Sequence, residues 1–397
     1  MPHGSVEIPL SVLLVFASAK LLSELFERMG QPGIVGEILA GILIGPHVLG
    51  WMAPNEVIRI LADLGVMFLL FRVGLEIKAG ELVQVGGTAM MVALGGVVLP
   101  FLAGWGICTL WGQSSIESIF TGAAMVATSV GITGEVLAAR GLLATRAARI
   151  ILAAAVVDDI LGLLVLAVVS GLAQGGVNYL DIALTGAIAL GFTAFVARFG
   201  SRTAQRVMPH VGSRMRLAEA EFALSMTLLF GLAVLAVYAG VAAIVGAFLA
   251  GMALSEAAKD RVRQLTHGVA ELLVPFFLVN IGLQFDPAAF AGGGTLALAG
   301  VILLAAVASK FIGCGLGALR IGSLDAARVG IGMVPRGEVG MVVAEIGLKL
   351  GVMEQSVYGV VVFMSVMTTL IAPPLLKAAF RGENRPPGNG EHEFRLG

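Results

Sequence analysis

The sequence predicts an all-α integral membrane protein of about thirteen transmembrane helices, arranged as two inverted repeats of six spans. Three observations carry that reading. Apolar runs of about 18 residues or more recur from one end of the 397-residue chain to the other. Lysine and arginine crowd onto one set of loops. Segments of the first half return in the second at a nearly constant offset. The composition agrees: 58% hydrophobic, 13% charged and a mean hydropathy of +0.96, where a soluble domain carries about 25% charged residues.

The spans fall near 9–28, 33–52, 57–77, 85–112, 116–140, 147–171, 180–199, 218–238, 240–256, 267–285, 294–319, 324–349 and 355–377. One set of loops holds Arg28, Lys78, Arg140, Arg146, Arg149, Arg198, Arg202, Arg206, Arg214, Arg216, Lys259, Arg261, Arg263, Arg320 and Arg328. Lys377, Arg381, Arg385 and Arg395 lie on that side too, and the opposite loops hold only Arg59 and Lys349. The positive-inside rule then places the C-terminus in the cytoplasm and the N-terminus outside. The net charge of −1 and the lack of a long basic tract give no reason to expect nucleic acid. Cys108 and Cys314 sit in apolar segments and read as small core residues. The opening "MPHGSVEIPLSVLLVF" has no basic n-region, so no cleaved signal peptide is expected. Residues 378–397 read as a short cytoplasmic tail.

The duplication is read from three pairs. "IVGEILAG" (34–41) returns as "IVGAFLAG" (244–251), "RVGLE" (72–76) as "NIGLQ" (280–284), and "GEV" at 134–136 recurs at 337–339. Each pair is seven spans apart, and an odd displacement makes the copies run in opposite directions. The expected division is one transmembrane unit over 8–377: repeat one at 9–171, a linker span at 180–199, and repeat two at 218–377. Such inverted repeats build secondary transporters, whose substrate site lies near the midplane.

Polar residues at that depth follow. The fifth span of each repeat carries an interrupted stretch, "ATSVGITGEV" and "GMVPRGEVG". Glycines and Pro335 break these helices, and freed backbone groups can coordinate an ion. Asp158 and Asp159 lie at the centre of the sixth span, "ILAAAVVDDILGLLVLAVV". One acid at the centre of a membrane helix costs roughly 2.5–3.5 kcal/mol on insertion scales. Adjacent helix positions point about 100° apart, so one acid can face a cavity while the other meets a cation. Lys310, central in its own span, is the natural partner of Asp158. That pair holds two helices together, takes part in titration, or does both. Thr128 and Ser129 either bond a carbonyl one turn back or face the ion. Arg336 and Glu338 read first as structural support in the second broken helix. Arg72 is expected to snorkel and Glu37 to be interfacial, while His47, Glu76 and Glu345 are assigned nothing. Hard oxygen ligands without a Cys or His cluster favour H⁺, Na⁺, K⁺ or Li⁺ over transition metals. Two adjacent carboxylates beside a lysine titrate as a coupled set. Protons and a cation then compete for one buried position.

These residues are similar to a known family. "LAAAVVDDILGLLVLA", "ATSVGIT", "GQPGIVGEILAGILIGP", "LLFRVGLE" and "VPRGEVGMVVA" resemble the bacterial sodium/proton antiporters of the cation:proton antiporter superfamily. The likeness is to the NapA-type, monovalent cation:proton antiporter-2 branch, over about residues 8–377. The resemblance implies an NhaA-like antiporter fold, with a dimerisation domain and a mobile core holding two crossed, broken helices. It implies that Asp159 is the principal carrier of Na⁺ and protons and that Asp158 partners Lys310. It places Thr128 and Ser129 near the ion. A homodimer in the bacterial inner membrane, elevator-like alternating access and no cofactor beyond the transported ions come with it. The Asp-Asp pair resembles the electrogenic sodium branch. Glu135 and Arg72 depart from the family's pattern.

Rival readings are a K⁺/H⁺ antiporter or Kef-like potassium efflux protein, whose relatives usually continue into a nucleotide-binding domain, and an intramembrane aspartyl protease. The protease needs its acids on separate helices, which this sequence does not supply, so no enzyme is expected.

Overall fold

Glycine and proline decide where the apolar runs start and stop as helices. The computed structural model describes residues 4–173, 179–214, 219–287 and 293–381. Among them lie fifteen α-helices: α1 (Gly4–Arg28), α2 (Gly33–Ile44), α3 (Glu56–Leu75), α4 (Ala79–Leu110), α5 (Ser115–Ala124), α6 (Val130–Ala139), α7 (Arg146–Ala173) and α8 (Tyr179–Arg214). The chain continues through α9 (Ala220–Tyr238), α10 (Ala243–Leu254), α11 (Asp260–Leu283), α12 (Gly293–Ala318), α13 (Ser323–Gly332), α14 (Glu338–Lys349) and α15 (Gln355–Ala379). Counting α5 with α6 and α13 with α14 as interrupted spans, the helices follow the thirteen predicted spans.

Boundaries differ where local chemistry wins. The span expected over 33–52 is helical only to Ile44, because Gly45 and Pro46 turn the chain. Gly50, at φ +65°, closes that turn by donating to the Gly45 carbonyl at 2.9 Å. With 12 residues each, α2 and α10 rise only about 18 Å, short of the roughly 30 Å hydrocarbon core. Among the described residues, eight helices are long and apolar enough to cross a membrane by themselves. By contrast α8 runs 36 residues, past the expected end at 199, because the polar stretch after Gly200 keeps helical propensity outside the apolar zone. Residues 382–397, most of the expected tail, lie outside the described residues.

Two bundles result. Helices α1, α2, α3, α9, α10 and α11 pack together, as do α4 to α7 with α12 to α15, and α8 touches α4, α7, α9 and α10. The first bundle is built twice over by the repeated glycines. A methyl group on Gly41 or Gly282 would strike backbone of the other's helix where α2 crosses α11, and Gly74 and Gly251 do the same where α3 crosses α10. Gly41 and Gly251 end the repeated "IVG" segments, while Gly74 and Gly282 sit in the repeated "GL" segments. Each crossing therefore pairs one glycine from each repeat, which is what an inverted duplication about a two-fold axis requires. In the second bundle Gly95 of α4 and Gly313 of α12 face each other in the same reciprocal way. Backbones approach closely at all three crossings because no side chain intervenes. Arg263 ties one end of the first bundle, donating to the Leu75 carbonyl at 2.7 Å and the Ser255 carbonyl at 2.5 Å, so one guanidinium caps both α3 and α10.

Candidate functional site

The two interruptions meet in the middle of the second bundle. Between α5 and α6 the chain is extended at Ser129, and between α13 and α14 it passes through Pro335 to Gly337. Ser129 N–H donates to the Pro335 carbonyl at 2.8 Å, and the Thr133 hydroxyl donates to the Gly332 carbonyl at 2.7 Å. The amino end of α6 thus satisfies carbonyls left open at the end of α13. On the other diagonal Gly340, near the start of α14, lies against the Ala124 carbonyl that ends α5; a methyl group there would stand 2.7 Å from that oxygen. The breaks cross, with opposite half-helix ends facing.

Two buried cations satisfy the remaining carbonyls. The Lys310 ammonium has three N–H bonds and uses all of them: to Asp158 Oδ1 at 2.9 Å, Val126 O at 2.6 Å and Gly96 O at 2.8 Å. Lys310 and Asp158 are both wholly buried. Arg336, also wholly buried, donates to Ala127 O and Ala306 O at 3.3 Å each. Val126 and Ala127 lie two and three residues past the end of α5, so both cations sit at its negative end. The backbone of Arg336 is held by α15: its N–H donates to Thr368 Oγ1 at 3.1 Å and its carbonyl accepts from Thr369 Oγ1 at 2.6 Å.

The other expected site residues are there too. Asp159 is 4% exposed, Thr128 4% and Ser129 3%. Thr128 Oγ1, Ser129 Oγ and Asp158 Oδ2 are buried and meet no hydrogen-bond partner among the described residues. Buried oxygens without donors are costly unless a proton or a cation reaches them. The side chain of Glu338 lies outside the described residues, and its backbone opens α14. Thr133, Thr368, Thr369 and the Gly96 carbonyl escaped the sequence reading. The adjacent threonines inside an otherwise apolar span were the visible signal for α15, whereas nothing local marked Gly96.

Arg72 is 15% exposed and lies 3.6 Å from the half-exposed Glu271. Glu37 is buried, 3.3 Å from Lys20. Glu37 and Glu271 line a cavity of about 620 Å³ on the face of Gly30, Arg140 and Lys377, the basic face. A second cavity of about 580 Å³ opens at Asn55, Arg59 and Glu345 on the opposite face. Neither is lined by Thr128, Ser129, Asp158 or Asp159.

Inverted repeats, crossed interruptions and buried opposite charges between two cavities define a secondary membrane transporter. Residues 12–382 match the family model described as "Sodium/hydrogen exchanger, transmembrane". The Na(+)/H(+)-K(+) antiporter GerN of Bacillus cereus is 34% identical, covering 94% of this chain and 96% of its own. The high-affinity Na(+)/H(+) antiporter NhaS3 of Synechocystis is 33% identical, covering 95% and 90%. The solved sodium proton antiporter MjNhaP1 of Methanocaldococcus jannaschii has the same fold, with a TM-score of 0.70 at 19% identity, covering 94% and 95%. The chain belongs to the sodium/hydrogen exchanger family.

Proposed function

We propose that this protein exchanges protons for a monovalent cation, Na⁺ first among them, by alternating access and with net movement of charge. The observation that carries the reading is the Asp158–Asp159 pair on α7, with Lys310 filled by Asp158 and three donorless oxygens at the same crossing. In this scheme Asp159 is the main carrier of cation and proton, and Asp158 exchanges its bond to Lys310 for the ion. Thr128 and Ser129 add neutral oxygen ligands, while Arg336 fixes the crossed helices and keeps the site from collapsing. The donor set of carboxylates and hydroxyls suits a hard alkali cation carried as substrate.

The packing supports an elevator-like cycle in which α4–α7 and α12–α15 move as a core against α1–α3 and α9–α11, with α8 as linker. The same division supports repeats at 9–171 and 218–377 in one unit over 8–377. The charge asymmetry supports an inner-membrane orientation with the C-terminus and the basic face in the cytoplasm. A homodimer built on the first bundle completes the proposal.

The test is exchange in proteoliposomes read by a pH dye, comparing Na⁺, Li⁺ and K⁺ over a pH series. Exchange with Na⁺ and little with K⁺ is the expected result, and no exchange with any of them overturns the reading. A K⁺/H⁺ or mixed exchanger is the second reading, favoured by the name of the GerN relative.

A further inference from the structure

The cavity on the basic face ends against a carboxylate that the exchange scheme does not use. Glu135 is six residues beyond Ser129 on the same half-helix, about 9 Å along its axis. Its side chain lines the cavity, and its Oε2 is buried without a hydrogen-bond donor. Two of the acids near it have cations beside them. Lys20 of α1 lies 3.3 Å from Glu37 of α2 and 3.8 Å from Glu271 of α11. Arg72 of α3 and His267 of α11 each stand 3.6 Å from Glu271. Glu27, Arg140 and Lys377 line the outer part of the cavity, and Lys377 bonds the Gly30 carbonyl. Glu37, Glu271 and Glu27 all belong to the first bundle, so Glu135 is the acid of this cavity that travels with the ion site. Between Glu135 and the crossing, Val66 and Phe277 close on Gly131: a methyl group there would sit 3.1 and 3.3 Å from them. The cavity lining stops short of Asp158 and Asp159, and we take these apolar contacts as the seal between them.

We propose that Glu135 is the proton-transfer group between the buried acid pair and water on the basic face, an inference that rests on the exchange reading above. On release, the O–H bond of the protonated acid breaks and its proton passes, through water admitted when the seal parts, to the Glu135 carboxylate. Glu135 then gives the proton to water in the cavity and returns to the anion. Uptake runs the same steps backwards. No other atom or electron moves. A fixed acceptor beyond the seal spares the proton a search through a narrow, intermittently wet passage. General acid–base groups of this kind contribute about 10²-fold or more where proton transfer limits the rate.

The experiment uses full-length protein in oriented proteoliposomes, with imidazole as a diffusible proton carrier on the basic-face side. In Glu135→Gln, exchange at saturating Na⁺ is expected to fall about 10²-fold or more, with the KM for Na⁺ unchanged. Imidazole should restore most of the rate, and Glu135→Asp should retain it. A Gln variant at the wild-type rate, or one slowed but indifferent to imidazole, overturns the proposal. Wild type supplies a second arm that needs no variant. Because it carries its own acceptor, imidazole should leave its rate unchanged, and severalfold acceleration overturns the proposal. Wild-type exchange in the same vesicles tests the exchange reading separately.

Discussion

Lys310 has no donor to spare, and that constrains what its neighbours can do. With Asp158, Val126 O and Gly96 O all accepting from it, it is both the counter-ion of one acid and the cap of a half-helix. Replacing Lys310 by Ala leaves a buried carboxylate and two buried carbonyls without their donor. Breaking such a pair costs about 3–5 kcal/mol, so the melting temperature in detergent at neutral pH should drop clearly. An unchanged value would separate Lys310 from the stability of the crossing. Asp159→Asn keeps the shape of the side chain but can neither carry a proton nor balance a cation. It should abolish sodium-driven proton movement in vesicles while the protein still inserts and elutes as a folded species. Thr368→Val removes the acceptor for the Arg336 N–H. Leaving that group unsatisfied should cost about 1–3 kcal/mol, measurable as a lower midpoint in thermal unfolding.

Helices here are placed by what they lack. Glycine at the paired crossings removes the side chain that would hold backbones apart, and the interruptions remove the hydrogen bonds that would hide the carbonyls of α5 and α13. Gly282→Val tests the first point. Its branched side chain meets the Ile38 carbonyl, so α2 and α11 must separate and the protein should lose thermal stability. Gly231→Ala in α9 is the control, since among the described residues nothing lies within 4 Å of a methyl group there. Its helix propensity gain of roughly 0.5–1 kcal/mol should leave stability equal or higher. Equal melting temperatures for the two variants would remove the crossing from the account.

For the molecule as a whole, the question is how much charge crosses per cation. If Asp159 holds the cation and the Asp158–Lys310 pair gives up its own proton as the ion binds, two protons exchange for one cation, and transport is electrogenic. Asp158→Asn takes one titrating group away. Net charge per cation should then fall while some exchange persists, as read by solid-supported-membrane currents against isotope uptake in the same vesicles. A wild-type ratio of zero, or an active Asp158→Asn protein with the ratio unaltered, contradicts the scheme. The charged crossing lies in one bundle, and Val66 and Phe277, which pack on Gly131, lie in the other.

By itself the sequence determined much of what depends on neighbours along the chain. Apolar runs, broken by glycine and proline, set the spans and both interruptions, since helix formation and membrane burial are read over a window of residues. Offsets between repeated segments set the inverted duplication, and adjacency set the acid pair. The tertiary structure alone decided which distant groups share a hydrogen bond. Asp158 and Lys310 were legible as partners only because each was a costly charge with few candidates to meet. Gly96 carries no such mark, as any residue has a carbonyl. Thr368, Thr369 and Ala306 reach Arg336 from helices whose rotation the sequence does not state. The partners of Arg72 and Glu37 were illegible for the same reason: depth along a helix is local, but the charge waiting opposite is not. Glu135 was visible as a charge out of place; the cavity it lines exists only where α1, α2, α6, α11 and α15 come together.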